Sequence, residues 1–366
     1  MNPVRVLVVD DSTVIRKVVT DALAEASGIE VVATAAHGRI ALQKILQVKP
    51  DVVTLDFEMP EMDGLETLKE IRRLHPDIRV VMFSSLTQRG ATETIEALAL
   101  GASDYAQKPT QSRSLDDSKQ HIHRELVPKI IQLGQATKPA AAAVRVTDTR
   151  PVVESQATRK LTDRVDVISI GSSTGGPNAL QQFIQDLPAT VNVPIVVAQH
   201  MPPVFTRQLA QRLNQLTPLE VQEAAHGDKL HPGGIWIAPG DFHMQLKRVG
   251  NDVQVVLDQG APENSCRPAV DVLFRSCASL YGKGNVSIVL TGMGQDALKG
   301  ARCVREQGGF VIAQDQATSV VWGMPRAVQE AGQADKVLPL DRIAHFLSPH
   351  LGSCSKAEPQ EMAVCR

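Results

Sequence analysis

Features of membrane, secreted and nucleic-acid-binding proteins are scarce in this sequence. No apolar run approaches the roughly 20 residues that a membrane-spanning helix needs, and the N-terminal residues lack the apolar core and cleavage site of a secretory signal. The 38 basic residues nearly balance the 40 acidic ones, so no overall field draws the chain to nucleic acid or to an anionic membrane. We therefore expect a cytoplasmic protein with no direct membrane insertion and no nucleic-acid partner.

Cysteine and aromatic residues are also few. The five cysteines are odd in number and contain no Cys-x-x-Cys pair, which favours reduced thiols in a cytosolic protein over a disulfide framework. Aromatic residues make up only 3% of the chain, so the cores have to be built mainly from Val, Leu, Ile and Ala. The length of 366 residues is typical of at least two domains.

The first part of the chain alternates between short apolar runs and helical patterns. The runs VRVLVVD, IEVVATA, PDVVTLD, IRVVMFS and SDYAQKP predict five strands within residues 4–109. Helices are expected at 13–27, with Gly28 as its C-cap, at 64–74, and from about 115 to 133. Strands that alternate with helices through short links favour one parallel sheet covered on both faces.

A change of composition separates this part from a second α/β domain. Strands are predicted near 165–171, 194–199, 286–291 and 309–314, with helical patterns after most of them. The runs GGIWIAPG, FHMQLKRV and VQVVLDQG between them are expected to be antiparallel strands. The second domain is therefore expected to be doubly wound, with a mostly parallel sheet and an antiparallel hairpin.

The region between the two domains is rich in Ala, Thr and Pro and has no large apolar period, as expected of a linker. The predicted boundaries are residues 1–125 for the first domain, 126–162 for the linker, 163–350 for the second domain and 351–366 for a flexible tail.

Polar side chains stand at the ends of the predicted strands of the first domain. Asp10 and Asp11 end the first strand, Asp56 the third, Ser84 the fourth and Lys108 the fifth. The carboxyl ends of parallel strands share one edge of a sheet, and carboxylates packed there repel one another unless a cation joins them. A hard divalent ion such as Mg²⁺ fits this set of oxygen ligands.

One carboxylate of this group could then act as a nucleophile toward a phosphoryl group. Lys108 would neutralise the added charge, and the Ser84 hydroxyl would hydrogen-bond the new phosphate oxygen. Each residue also has a simpler role open to it: Asp11 or Ser12 as a helix N-cap, Asp56 as a loop acid and Lys108 as a solvated lysine.

The blocks LVVDDS, VTLDFEMPEMDG, VVMFSSLT and GASDYAQKP resemble the receiver domain of bacterial response regulators. This resemblance implies a flavodoxin-like fold with Asp56 as the phosphoacceptor and a histidine kinase as the phosphodonor. It implies a Mg²⁺ site for phosphorylation, formed by Asp10, Asp11, Asp56 and the backbone carbonyl of Glu58. Ser84 and Lys108 would contact the phosphate, and Tyr105 would be the switch aromatic.

The loop GSSTGGP joins a strand to a helix in the second domain, and three interpretations compete for it. A dinucleotide-binding loop needs G-x-G-x-x-G, which the glycine spacing does not match, and a Walker loop needs a lysine that is missing here. Gly171 to Gly175 does match G-x-S-x-G, the turn that holds out a nucleophilic serine, here Ser173. A simple tight turn remains the third interpretation.

A nucleophilic serine needs a base and a group that orients the base. His200 follows an apolar strand directly, and Asp296 lies in a glycine-containing loop after another strand, so both are expected at the edge where Ser173 lies. Simpler roles are open here too, with His200 as a loop histidine and Asp296 as the N-cap of the helix that follows it.

Six blocks of the second domain include this loop and segments after it: ISIGSSTGGP, VVAQHMP, GIWIAPGDFHM, CRPAVDVLFRSCA, VLTGMGQDALKG and GFVIAQD…SVVWGMPRAV. With the first domain they resemble the chemotaxis receptor methylesterases of the CheB type over about residues 1–350. The resemblance implies a phosphorylation-regulated hydrolase that demethylates glutamate methyl esters of chemoreceptors and deamidates their glutamines. It implies no cofactor for the esterase chemistry.

Residue roles follow from the same resemblance. Ser173 would be the nucleophile, His200 the general base and Asp296 the orienting acid. The backbone N–H of Met293 and one near Thr174 would bind the oxyanion, and Thr174 and Arg267 would line the substrate cleft.

Two other functions are possible for a chain of this organisation. A response regulator with a nucleic-acid-binding output would show a basic recognition helix in residues 161–350, and no such motif is found there. A general metabolic esterase fused to a receiver would hydrolyse small esters as well as methylated receptor.

Overall fold

The computed structural model describes residues 2–85, 87–109, 114–136, 161 and 164–351. The first domain is a five-stranded sheet with strands in the order β2-β1-β3-β4-β5, all parallel. Its elements are β1 Val4–Val9, α1 Thr13–Glu25, β2 Ile29–Ala35, α2 Gly38–Val48, β3 Val52–Asp56, α3 Gly64–Leu74, β4 Arg79–Ser84, α4 Gln88–Ala99, β5 Asp104–Gln107, α5 Leu115–Glu125 and α6 Val127–Ala136. The predicted parallel sheet is confirmed.

Two details of the first domain differ from the prediction. Helix α1 ends at Glu25, and its C-cap is Ala26, which has extended dihedral angles. Gly28, with a φ of 85°, comes two residues later and is not the C-cap. The helix expected from 115 to 133 is two helices, α5 and α6, with Leu126 between them. Pro128 lies at the start of α6, where its missing N–H breaks the continuous ladder of helical hydrogen bonds.

Helix α6 lies in the segment assigned to the linker and packs against the first domain. Its residues Ile130 and Leu133 are buried in the same core cluster as Val4 and Val6 of β1. The linker prediction otherwise falls largely outside the described residues, as does the predicted tail.

The second domain contains a seven-stranded sheet in the order β14-β13-β12-β6-β7-β9-β8, again all parallel, and a separate antiparallel hairpin of β10 and β11. Its elements are β6 Val167–Ser172, α7 Gly176–Gln185, β7 Ile195–Gln199, α8 Phe205–Asn214, β8 Glu220–Glu223, β9 Gly234–Ile237, β10 His243–Val249, β11 Asp252–Asp258, α9 Val270–Tyr281, a 3₁₀ turn Gly282–Gly284, β12 Asn285–Val289, α10 Leu298–Glu306, β13 Phe310–Gln314, α11 Met324–Glu330, β14 Lys336–Leu338 and α12 Leu340–Leu351. The predicted doubly wound architecture with its hairpin is confirmed.

Strand β9 corrects one prediction. The run around Gly234–Ile237 was expected to be antiparallel, but it pairs in parallel with β7 and with β8. All four of its residues are buried, as in a strand of a parallel sheet with both faces covered. The alternation of buried and exposed residues typical of a half-buried antiparallel strand is absent from this run.

The order of the strands brings three loops of the second domain together. Strand β6 lies between β12 and β7, so the segments that follow these three strands meet at one edge of the sheet. Helix α4 of the first domain packs against α7 and α8 of the second. None of the described helices is long and apolar enough to cross a lipid bilayer.

Candidate functional site

The strand ends of the first domain form a small acidic pocket. Asp10 and Asp56 are 1% and 3% exposed, and Lys108 lies between them, with its Nζ 2.6 Å from Asp56 Oδ1 and 3.0 Å from Asp10 Oδ2. Carboxylate oxygens of Asp10, Asp11 and Asp56 lie within 4.8 Å of one another. These hard oxygen donors, together with the exposed loop at Glu58, fit a Mg²⁺ ion.

Burial governs the ionisation of this pocket. Burial raises the pKa of Asp56 to about 6, because the attraction of Lys108 does not compensate for the lost hydration and the charge of Asp10 adds repulsion. Burial also raises the pKa of Asp10. The pocket thus holds more negative charge than its single lysine can neutralise, which is the condition that favours a bound divalent cation.

Of the two remaining residues predicted for this pocket, Ser84 lines it and Tyr105 does not. Ser84 is buried at the end of β4, where its hydroxyl donates to the Gly90 carbonyl at 3.2 Å, and it lines a cavity of about 220 Å³ together with Asp56, Glu58 and Lys108. Tyr105 does not line this cavity. Its ring is buried against the second domain and stacks on Phe205, the first residue of α8, with 4.9 Å between the ring centroids.

In the second domain the loop after β6 turns sharply at Ser173. Gly175 has a φ of 76°, in the left-handed region that favours glycine, and a side chain at Gly176 would collide with the Gln199 side chain. The Ser173 N–H donates to the Thr291 carbonyl at 3.0 Å, which ties the turn to the segment after β12. The loop is a strand–turn–helix corner that presents a half-buried serine to a cavity.

His200 follows β7 and is hydrogen-bonded to Asp296, with 2.7 Å between His200 Nε2 and Asp296 Oδ2. The other ring nitrogen, Nδ1, lies 3.5 Å from Cys266 Sγ. Ser173 and His200 line the same cavity of about 880 Å³. Among the described residues no hydrogen bond joins the Ser173 hydroxyl to His200, so two members of the predicted triad are bonded and the third lies in the same cavity.

His200 and Asp296 each stabilise the charged form of the other. Burial of the imidazole opposes its protonation, but the hydrogen bond with Asp296 and the contact with Cys266 outweigh it and raise the pKa of His200 to about 10. Burial likewise disfavours the Asp296 carboxylate, but the bond and charge of His200 and the N–H groups of Val270 and Asp271 lower the pKa of Asp296 overall. In this conformation the pair is an imidazolium and a carboxylate at neutral pH.

Asp296 does not cap the helix that follows it, which was the simpler role considered for it. Its oxygens accept the N–H groups of Val270 at 2.7 Å and Asp271 at 3.0 Å, at the start of α9. Asp271 in turn accepts the N–H groups of Ala297 at 3.2 Å and Gly300 at 2.6 Å, at the start of α10. Each acid therefore satisfies the free N–H groups of the other helix, and this exchange fixes Asp296 beside His200.

Three residues of this site are not among those predicted from the sequence: Cys266, Asn264 and Asp271. Asn264 Nδ2 donates both to Asp296 Oδ1 at 2.8 Å and to Asp271 Oδ2 at 2.9 Å. Burial and the nearby charge of Asp296 raise the pKa of Asp271, although hydrogen bonds partly offset them. The only sequence signal was an acid within the apolar pattern of α9, which does not by itself indicate a contact with Asp296.

Two of the predicted oxyanion and cleft residues, Met293 and Arg267, line the same cavity as Ser173. Thr174 is buried next to Ser173 in the chain and does not line this cavity, so its predicted place in the cleft wall is not seen in this conformation. Among the described residues, neither the Met293 nor the Thr174 N–H takes part in a hydrogen bond, so both are free to bind an oxyanion. Arg267 is held by Asp241, whose Oδ1 accepts its Nε–H at 3.1 Å.

Residues of the first domain complete the wall of this cavity. Tyr105, Arg124 and Lys129 line it together with Ser173 and His200. The Lys129 ammonium lies 4.9 Å from the centroid of the Tyr105 ring and 3.0 Å from Asp104 Oδ2. The first domain therefore forms part of the wall of the cavity that Ser173 lines.

Comparison with known proteins gives matches along nearly the whole chain. The profile of the CheB methylesterase family matches residues 168–347, and that of the response regulator receiver domain matches residues 6–119. Two proteins named protein-glutamate methylesterase/protein-glutamine glutaminase are similar: that of Trichodesmium erythraeum is 47% identical over 95% of this chain and 99% of its own, and that of a Nocardioides species is 50% identical over 93% of each. The crystal structure of the Thermotoga maritima CheB methylesterase catalytic domain matches with a TM-score of 0.50 and 46% identity, over 51% of this chain and 99% of that one.

Proposed function

The chain belongs to the CheB methylesterase family, and we propose that it hydrolyses glutamate methyl esters of chemoreceptors through Ser173, His200 and Asp296, under the control of phosphorylation at Asp56. It is a protein-glutamate methylesterase and protein-glutamine glutaminase with a receiver domain. The observation that carries the residue assignment is the 2.7 Å bond between His200 and Asp296 in the cavity that Ser173 lines. The proposed location is the cytoplasm, where a helical stretch of the receptor is the substrate.

The proposed reaction has two halves. The Ser173 oxygen attacks the ester carbonyl while His200 takes the serine proton, and the N–H groups of Met293 and Thr174 bind the oxyanion. His200 then donates this proton to the departing methanol, leaving an acyl ester on Ser173. A water molecule, deprotonated by His200, hydrolyses this ester and releases a free glutamate. With a glutamine side chain as substrate, the leaving group is ammonia.

His200 has to form a new hydrogen bond before it can act as the base. In the described conformation one of its nitrogens is bonded to Asp296 and the other faces Cys266. The Ser173 side chain or the imidazole ring has to move before the serine hydroxyl can hydrogen-bond a ring nitrogen. We infer that the described state is one of low esterase activity.

The receiver provides the means to change this state. When bound by Asp10, Asp11, Asp56 and the Glu58 carbonyl, Mg²⁺ would offset charge on the phosphoryl group. Asp56 is the proposed acceptor of that group from a histidine kinase, and Lys108 and the Ser84 hydroxyl are placed to contact it. The stack of Tyr105 on Phe205 connects the receiver to the wall of the esterase cavity.

The substitution Ser173→Ala tests the proposed nucleophile. It removes the attacking oxygen and is expected to lower release of methanol from methylated receptor by at least about 10³-fold, since only transition-state binding would remain. Ser265→Ala, in the same cavity wall, is the matched control and should change the rate less than about tenfold. Retained methanol release in a folded Ser173→Ala protein would show that another group attacks the ester.

The substitution Asp56→Asn tests the proposed regulation by phosphorylation. It removes the phosphoacceptor oxygen, so basal methanol release should persist while stimulation by acetyl phosphate disappears. Asp77→Asn removes an exposed carboxylate elsewhere in the receiver and should keep the stimulation. Stimulation that survives in Asp56→Asn would place the phosphoacceptor at another residue.

A further inference from the structure

Cys266 is the one thiol of the described chain that contacts the catalytic histidine, and the proposed mechanism gives it no role. It lies in the loop before α9, is partly exposed and lines the cavity beside Ser173. Its Sγ is 3.5 Å from His200 Nδ1. A ligand atom from each of Cys266, His200 and Asp296 lies within 4.8 Å of the others.

The geometry around His200 is that of a metal-ligating histidine. Its Nε2 is bonded to the Asp296 carboxylate, so Nδ1 is the nitrogen that can offer a lone pair to a metal once the imidazolium has lost its Nδ1 proton. A carboxylate that orients the far side of the ring is the usual arrangement around zinc-bound histidines. Asp296 is itself held by N–H groups of α9 and by Asn264, so the ring is fixed in direction.

The distance between the two candidate ligands also fits zinc. Zinc binds Cys sulfur at about 2.3 Å and His nitrogen at about 2.0–2.1 Å in a tetrahedral arrangement, which separates sulfur and nitrogen by about 3.5 Å. The observed Sγ to Nδ1 distance is 3.5 Å. Both residues line a cavity of about 880 Å³, which leaves space for water at the other positions around the ion.

We propose that Cys266 Sγ and His200 Nδ1 form a binding site for Zn²⁺ or a similar soft divalent cation, with water completing the tetrahedron. The thiol proton and the Nδ1 proton both leave to solvent as the Zn–S and Zn–N bonds form. Asp296 stays on Nε2 as the orienting carboxylate. Two protein ligands make the ion exchangeable, so the site responds to the concentration of free metal.

Bound metal would block the esterase. It occupies a ring nitrogen of the base and lies next to Ser173, so the serine proton has no acceptor while the ion is present. This inhibition rests on the proposed function, whereas the binding of metal does not. Metal availability would then act on the catalytic domain directly, independently of phosphorylation at Asp56.

Cobalt absorption tests the binding. A thiolate bound to Co²⁺ gives a charge-transfer band in the near ultraviolet, so the full-length reduced protein is titrated with Co²⁺. We expect Cys266→Ser to lose one equivalent of thiolate-bound cobalt relative to the unsubstituted protein. The matched control is Cys303→Ser, which alters another partly buried thiol and should keep that equivalent. Equal cobalt absorption in the Cys266→Ser protein, or loss of the equivalent in Cys303→Ser, would overturn the proposal.

Inhibition is measured as the rate of methanol release in the presence of Zn²⁺ and again after a chelator has removed the Zn²⁺. The rate of each variant is compared with its own rate without zinc. The unsubstituted protein and Cys303→Ser should be inhibited at least about tenfold and recover with chelator, and Cys266→Ser should resist. Equal inhibition of all three would contradict the role of Cys266. A protein that binds cobalt through Cys266 but releases no methanol without metal would contradict the proposed function and leave the metal site supported.

Discussion

His200 shows at the scale of one residue how burial and hydrogen bonding compete. Loss of hydration disfavours its charged form, yet its pKa is raised to about 10 because the Asp296 carboxylate lies 2.7 Å away and Cys266 contacts the other nitrogen. A base that is already protonated cannot accept the serine proton. The neutral ring is therefore a minor form at neutral pH in the described conformation.

This ionisation predicts the pH dependence of the esterase. The rate constant kcat/KM for methanol release should rise by up to about tenfold per pH unit below the pKa of His200 and level off toward pH 10, because the neutral fraction grows with pH. The contribution of the His200–Asp296 ion pair to the free energy of unfolding changes with pH in the opposite direction to the rate. It is fully present below about pH 6.5 and is lost as the pH rises through about 10.

The variant Asp296→Asn tests whether the Asp296 carboxylate is the cause of the raised pKa of His200. It removes the charge that raises the pKa of His200, so the rise in kcat/KM should move to lower pH while the maximal rate falls. A pH profile that keeps its position in Asp296→Asn would assign the ionisation to another group.

At the scale of elements, α9 and α10 hold Asp296, the proposed orienting acid, by exchanging caps. Asp296, which precedes α10, accepts N–H groups of α9, and Asp271 of α9 accepts N–H groups of α10. A capping carboxylate next to a helix N-terminus is stabilised by the free N–H groups there. The two helices therefore fix each other and the position of Asp296.

Asp271→Ala should accordingly lower both stability and activity. Loss of the cap should lower the free energy of unfolding by on the order of 1–2 kcal/mol. Because the start of α10 can then move together with Asp296, we expect kcat to fall by at least about tenfold. Chemical denaturation and methanol release measure the two effects.

Asp63→Ala is the matched control for this prediction. Asp63 caps α3 in the receiver, where it forms a capping box with Glu66, and its loss should cost similar stability. Its effect on the basal esterase rate should be small. If Asp63→Ala lowers that rate as much as Asp271→Ala does, general destabilisation rather than the position of Asp296 explains both results.

At the scale of the whole molecule, the receiver and the esterase domain share one boundary. Helix α4 packs on α7 and α8, and Tyr105 stacks on Phe205 beside the cavity that holds Ser173. Phosphorylation can change the esterase rate only by favouring a second arrangement of these contacts. The stack couples the two domains, because Tyr105 lies on the strand that leads to Lys108.

Tyr105→Ala should weaken this closed arrangement. An aromatic stack contributes about 1 kcal/mol beyond its buried area, which corresponds to about a fivefold shift between closed and open forms. We expect basal methanol release without phosphodonor to rise at least about fivefold. Leu23→Ala removes a buried side chain from a different core cluster of the receiver and serves as the control. A lower basal rate in Tyr105→Ala would mean that the receiver helps to build the cleft.

The sequence by itself determined what depends on local pattern. Strand ends carried Asp10, Asp56 and Lys108, and the parallel sheet that follows from alternating strands and helices brought them to one pocket. The G-x-S-x-G corner and the residues after β7 and β12 placed Ser173, His200 and Asp296 at one edge for the same reason. Periodicity is enough for such predictions because parallel strands all end on the same side.

Only the tertiary structure decided what depends on distant contacts. The parallel pairing of β9 and the exchange of caps between Asp271 and Asp296 both involve groups that no local pattern relates. The stack of Tyr105 on Phe205 and the approach of Cys266 to His200 arise in the same way. Hydrogen bonds and side-chain packing act over a few ångströms, so which residues they join is fixed only once the chain has folded.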